Sequence, residues 1–461
     1  MTSATNTDTM ATIATGAHTA VGSHAELITF HLLIQLIVIL AVTRAVVWFS
    51  RRVLGQTDVA GEILAGLVLG PSVLGLFFPG AIEAIFVPST ATIFVGMAQI
   101  GLILLMFQIG MEFNFKDTLS GGRHATIVVS LVGIVVPFMA GFLTAPWFWD
   151  RMPDPRPNAF AFQLFFATAM SITAIPILGR IFMELGLSHT RTAALTIGAA
   201  AIDDLCGWLI LGVVSAIITA SFHPGAFGVR LALVLAYIAF VMIVVRPLTL
   251  RFLRRQLAAK GHLSPTTASV VLLLLIGSAA ITSTLGIFAI IGGFLIGVAL
   301  HDDRVFVEEW RHRFGGLVQS LFLPIFFTYT GLRTNIGSLG DADAWMQCAL
   351  VVAVAFAGKF CGVYIAARLI GETRRNAMTI GVCMNTRALM ELVVLNIGYD
   401  LGVLPRPMFT MLVIMAIVST FIATPLIRWL MVDQRRHADA GTNRQPALSL
   451  AASPPSEAWR E

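Results

Sequence analysis

The chain has 461 residues, of which 57% are hydrophobic and 12% charged, with a mean hydropathy of +0.85 and a formal net charge of +5. Soluble domains carry about 25% charged residues, so one water-soluble core is excluded, and the length suits about a dozen membrane spans joined by short loops. The arginines are scattered through loops instead of gathered on one face, which speaks against nucleic acid as a partner.

Residues 1–26 are rich in Ser, Thr and Ala and contain no Lys or Arg. They read as a disordered tail that lacks the basic start of a signal peptide, so the first span is expected to stay in the protein. Apolar length, Gly/Pro breaks and charged flanks then predict an all-α polytopic membrane protein with thirteen spans. These fall at 27–49, 59–78, 90–113, 124–147, 160–185, 191–220, 228–251, 265–284, 286–301, 314–334, 344–370, 376–402 and 406–431. Residues 432–461 are polar, contain Pro454 and Pro455, and read as a disordered cytoplasmic tail with no soluble regulatory domain after the last span.

Basic residues test that count, because cytoplasmic loops are enriched in them. With the N-terminus outside, 21 Lys and Arg fall in inner loops and at inner span ends, against 5 outside: Arg151, Arg156, Arg230, Arg333 and Arg406. A missed span would scramble this asymmetry downstream, so an odd number of crossings with a cytoplasmic C-terminus is expected.

An internal repeat is also legible. Ala65–Gly70 (AGLVLG) in span two matches Gly292–Gly297 (GGFLIG) in span nine, and Met106–Asn114 (MFQIGMEFN) matches Phe327–Asn335 (FTYTGLRTN) in span ten. The offsets, 227 and 221 residues, pair spans one to six with eight to thirteen. Span seven is left as a connector, and six spans plus a connector invert the second copy in the membrane. Each match alone fits chance recurrence of small residues in membrane helices; their common order and similar offset favour a true repeat.

Span six, RTAALTIGAAAIDDLCGWLILGVVSAIITA, carries Asp203 and Asp204 in its middle. A charge at the centre of a membrane helix costs ~2.5–3.5 kcal/mol on insertion scales, so function is the expected compensation. At ~1.5 Å per residue, Asp203 lies about 18 Å from Arg191, near mid-membrane. Lys359, one of three lysines in the chain, lies about 17 Å from the inner end of span eleven by the same rise. Equal depth permits a salt bridge, whereas snorkelling would demand more reach than a lysine stem has.

Span five places Pro176 in mid-membrane, just after Ser171 and Thr173, where a proline frees carbonyls around 171–174. Its repeat partner, span twelve, holds Asn385, Thr386, Arg387 and Glu391 in CMNTRALMELVVLNIG. Two interrupted spans at corresponding repeat positions point to a midplane ion site, since half-helix ends supply ligands and partial charges. Ser171, Thr173, Asp203 and Asp204 are therefore the candidate ligands of such an ion. Arg387 and Glu391, at i and i+4, can pair on one helix face, and structural neutralisation and direct transport duty both fit them. The four cysteines, Cys206, Cys348, Cys361 and Cys383, have no metal-ligand spacing and read as small buried hydrophobes.

These residues resemble the monovalent cation/proton antiporters, in the bacterial and plant branch that includes potassium-efflux and cation/proton exchanger proteins. The matching pieces are SITAIPILGRI (171–181), AAIDDLCGW (200–208), FFTYTGLRTNIG (326–337), GKFCGVYIAAR (358–368) and MNTRALMELVVLNIG (384–398). The resemblance implies the sodium/proton antiporter fold, an inverted repeat with two crossed discontinuous helices, and a homodimer in a cell membrane, in bacteria the inner one. It implies a scaffold and dimer bundle at 27–113 and 265–334, a mobile core at 124–220 and 344–431, and a connector at 228–251. By position, Asp204 is the main carboxylate for Na⁺ or K⁺ and protons, and Asp203 its neighbour paired with Lys359, the electrogenic pattern. No resident cofactor is implied. Many potassium-efflux members carry a different residue at the first acidic position and continue into a nucleotide-binding domain, a departure that argues against ligand-gated efflux here. A sodium-coupled organic-solute symporter and a cation channel are the other classes that intramembrane acids allow.

Overall fold

A computed structural model of the chain describes residues 5–56, 58–112, 123–152, 154–173, 178, 190–219, 224–285, 288–387 and 389–442. The described residues form helices and no strand. The first half holds α1 (Thr5–Val53), α2 (Asp58–Leu69), α3 (Ala91–Glu112), α4 (Arg123–Trp149), α5 (Ala159–Ser171) and α6 (Arg191–Thr219). The connector is α7 (Pro224–Phe240), joined through one π turn to α8 (Arg246–Lys260). The second half holds α9 (Pro265–Thr284), α10 (Ala289–Leu300), α11 (Arg304–Trp310), α12 (Leu323–Arg333), α13 (Ala342–Leu369), α14 (Arg374–Cys383), α15 (Leu389–Asp400) and α16 (Arg406–Thr442).

Local chemistry sets several of these boundaries. Asn158, Ser264, Asp303, Asp341 and Thr373 each accept a backbone N–H three residues on, capping α5, α9, α11, α13 and α14. Gly261, in the left-handed region at φ 69°, closes α8. At the ends of the chain the helices run further than expected. α1 begins at Thr5, within the segment read as a disordered tail, and α16 continues to Thr442, past residue 431. No proline interrupts 5–26 or 432–442, so nothing in either stretch forces a helix to stop.

Nine helices among the described residues are long and apolar enough to cross a bilayer, or ten when the bent pair Arg304–Gly315 and Val318–Ser338 counts as one. The other expected spans fall on shorter pieces. Span five is described over Ala159–Ser171 and span nine over Ala289–Leu300, while span twelve is the pair α14 and α15, broken at 384–387.

The helices pack in two groups. In the first, α2 and α1 pack together, α12 lies on α2 and α3, and α10 lies on α3 and α9. In the second, α4 packs on α5, α6 and α13, and α16 packs on α13, α14 and α15. The repeat is visible in the first group as reciprocal contact. The α2 motif meets the α12 motif where a Cβ on Gly331 would lie 1.9 Å from the Gly66 carbonyl oxygen. The α10 motif meets the α3 motif where a Cβ on Gly297 would lie 2.3 Å from the Phe107 carbonyl oxygen. The equivalent pair under the sequence offsets is Gly70 with Gly331 and Gly297 with Gly110, and both are close: a Cβ on Gly70 would lie 2.2 Å from the Gly331 carbonyl oxygen and one on Gly297 2.9 Å from the Gly110 Cα, as an inverted repeat requires.

Candidate functional site

The site is built where α5 and the α14–α15 pair stop. α5 ends at Ser171, and Ile172 turns extended at ψ 146°, so the last four carbonyls, 168–171, have no backbone N–H partner within the helix. All four are satisfied by side chains. Ser171 Oγ donates to Thr168 O at 2.8 Å, Arg387 Nη1 to Ala169 O at 2.8 Å, Arg387 Nη2 to Met170 O at 2.6 Å, and Lys359 Nζ to Ser171 O at 2.5 Å. Two cations thus close the negative end of a half-helix dipole inside the protein.

Lys359 also pairs with Asp203, Nζ to Oδ2, at 2.6 Å, with both side chains fully enclosed. The Thr173 hydroxyl contacts the same Oδ2 and lies 3.0 Å from the Met384 carbonyl oxygen, which ties α6 to the break between α14 and α15. Asp204, the next residue on α6, is equally buried. The expected equal depth of Lys359 and Asp203 is therefore a direct contact.

The pairing of Arg387 with Glu391 is present at 3.2 Å but is not made along one helix face, as the spacing suggested. Arg387 lies in the non-helical break, where its side chain reaches toward α5, and Glu391 stands in the first turn of α15. The break itself is held by Thr420 of α16, whose hydroxyl accepts from Arg387 N at 3.0 Å and contacts the Arg387 carbonyl oxygen. Sequence reading missed Thr420; its only signal was a hydroxyl in a mostly apolar span, one that Thr410, Ser419 and Thr424 share. Asn385 and Thr386 lie in the break and are buried. The Thr386 hydroxyl donates to Cys383 O at 2.9 Å and caps α14, while the Asn385 side-chain amide hydrogen-bonds to nothing among the described residues. Pro176 lies outside the described residues.

The structure thus brings together Ser171, Thr173, Asp203, Lys359, Arg387 and Glu391 from four helices and two interruptions. Carboxylate, hydroxyl and carbonyl oxygens are hard donors, the chemistry that suits alkali cations and protons better than soft metals. Residues 36–433 match the model of the transmembrane sodium/hydrogen exchanger family. The chain belongs to that family. It is similar to the Na⁺/H⁺ antiporter NhaS4 of Synechocystis, 38% identical over 398 residues that cover 86% of this chain and 96% of that protein. Its match to the Cation/H⁺ antiporter 18 of Arabidopsis thaliana is 31% identical over 90% of this chain, which spans about half, 51%, of the plant protein. The solved sodium proton antiporter MjNhaP1 of Methanocaldococcus jannaschii shares the fold. Its TM-score is 0.54 at 16% identity, over 88% of this chain and 98% of that one.

Proposed function

We propose that this chain is a secondary active antiporter exchanging Na⁺ or K⁺ for protons by alternating access. The observation that carries the proposal is the charge of the buried cluster. Asp203, Asp204 and Glu391 face two cations, Lys359 and Arg387, so with all five ionised the formal sum is −1. One monovalent cation or one proton makes the site neutral, and a neutral core crosses an apolar barrier far more readily than a charged one. Proton and cation therefore compete for one place, and each drives the other's return.

We assign the exchanged ion to Asp204, the position that the family resemblance gives the main carboxylate and the neighbour of the Lys359–Asp203 pair, with Asp203, Thr173 and Ser171 as its surroundings. Arg387 and Glu391 fix the interrupted helices around it. We further assign the second helix group, with α15, to the moving core and the first group to the scaffold through which two copies associate as a homodimer. The asymmetry of basic residues supports an N-terminus outside and a C-terminus in the cytoplasm of a bacterial cell membrane. The family argues against the symporter and the channel.

Proteoliposomes loaded with a pH dye test the proposal. Adding Na⁺ or K⁺ to one side is expected to move the luminal pH, and the movement is expected to persist when the membrane voltage is clamped. Cation flux without counterflow of protons would refute exchange and point to a channel.

A further inference from the structure

A second polar cluster, away from the carboxylates, joins the two helix groups. Arg333, in the last turn of α12, places Nη1 2.7 Å from Asp400 Oδ1 and donates to Asn396 Oδ1 at 3.2 Å, both on α15. Its guanidinium carbon lies 4.0 Å over the Tyr329 ring on α12 and 5.1 Å from that of Tyr399 on α15. Asn396 returns the contact, donating from Nδ2 to Thr330 Oγ1 at 2.8 Å. Two other contacts between the groups, Asn335 N to Thr410 Oγ1 and Gln56 to Phe421 O, are each 3.4 Å long.

The cluster spans a cavity of about 460 Å³ with walls from both groups: Gln99 and Phe326 on one side, Val393 and Ile397 on the other, Arg333 and Asp400 bridging them. Arg333 and Asp400 are partly exposed, at 19% and 43%, whereas Val393 and Phe326 are buried, so the bridge stands at the solvent end. Both helices end here, and a guanidinium at two helix C-termini is favoured by both dipoles.

We infer that Arg333 is a positioning residue of the exchange reaction, a clasp that holds the core's α15 against the scaffold's α12 and keeps this cavity narrow at its mouth. The inference rests on the alternating-access reading above. Sliding one group against the other by a single helical turn, about 5.4 Å, breaks every contact the guanidinium makes. The clasp therefore weights one arrangement of the groups over the other, and a state's population scales the affinity seen from its side.

The test compares wild type with Arg333→Gln, Asp400→Asn and the swapped pair Arg333→Asp with Asp400→Arg, in vesicles of both orientations. An exposed ion pair with two ring contacts predicts a shift of about fivefold. With the clasp cut, the apparent KM for the cation is expected to fall on the side where α12 and α15 end and to rise on the opposite side. The swapped pair is expected to return both toward wild type. A purely structural role would lower the maximal rate and leave both KM values alone, or move them together, and either result overturns the inference.

A second readout needs no transport. Leu102→Cys, a buried position on the cavity wall, is labelled with a membrane-impermeant maleimide, corrected for labelling of the same protein without the added cysteine. Labelling is expected to quicken about fivefold with Arg333→Gln and to slow again in the swapped pair. An unchanged or slower rate sinks the clasp even if exchange is present, while absence of cation-driven proton movement in wild type sinks the functional proposal and leaves this measurement standing.

Discussion

Lys359 Nζ lies 2.6 Å from Asp203 Oδ2 with neither side chain open to solvent. A buried pair of this kind is held together by the cost of separating it, because each charge alone has nowhere favourable to go. Lys359→Met is expected to lower stability by about 3–5 kcal/mol, whereas Lys359→Met combined with Asp203→Asn is expected to recover most of that loss. Thermal unfolding of the detergent-solubilised protein reads both variants. Additive losses in the double variant would show that the pair is not coupled.

Asp204→Asn keeps the shape of the side chain and removes its charge. Exchange is expected to vanish while the variant elutes and melts like wild type. In the unmodified protein, competition between proton and cation raises the apparent KM for the cation as pH falls and leaves the maximal rate unchanged. Initial rates of pH change across a matrix of pH and cation concentration check both statements.

Arg387 is expected to resist replacement by lysine. Its fork donates to Ala169 O and Met170 O while also reaching Glu391, and an ammonium point charge cannot cover all three. Losing one charge-assisted bond costs about 1.5–3 kcal/mol, so Arg387→Lys should lower the melting temperature and quicken amide exchange at the end of α5. Unchanged exchange there would show that the carbonyls do not depend on the fork.

Thr173 links Asp203 to the Met384 carbonyl through one hydroxyl. Thr173→Val preserves volume and deletes the link, and is expected to reduce exchange by about tenfold, one hydrogen bond's worth near 1.4 kcal/mol. Thr173→Ser restores the hydroxyl and is expected to recover most of the rate, which a packing role for the methyl group would not allow.

Gly331 and Gly297 are expected to behave alike. A Cβ would meet the Gly66 carbonyl at 1.9 Å in one case and the Phe107 carbonyl at 2.3 Å in the other, and neither backbone has room to yield. Substitution by alanine at either position should cost about 1–3 kcal/mol or more, read as loss of monodisperse protein after extraction. A tolerated Gly331→Ala would contradict the close helix crossing.

The sequence by itself determined the class, the repeat and the identity of the buried charges. Long apolar runs, the skew of arginines and two pairs of glycine motifs at similar offsets carry that information, because hydropathy and periodicity are local properties of the chain. It also placed Asp203 and Lys359 at one depth, since rise per residue is fixed. Tertiary structure alone decided which groups meet. That Arg387 reaches out of the break to close α5, that Thr420 holds the break in place, and that Arg333 reaches Asp400 are contacts between residues 33 to 218 positions apart or on opposite groups. No spacing encodes them, because the direction of a side chain across an interhelical gap is set by packing and by the unpaired carbonyls it finds there.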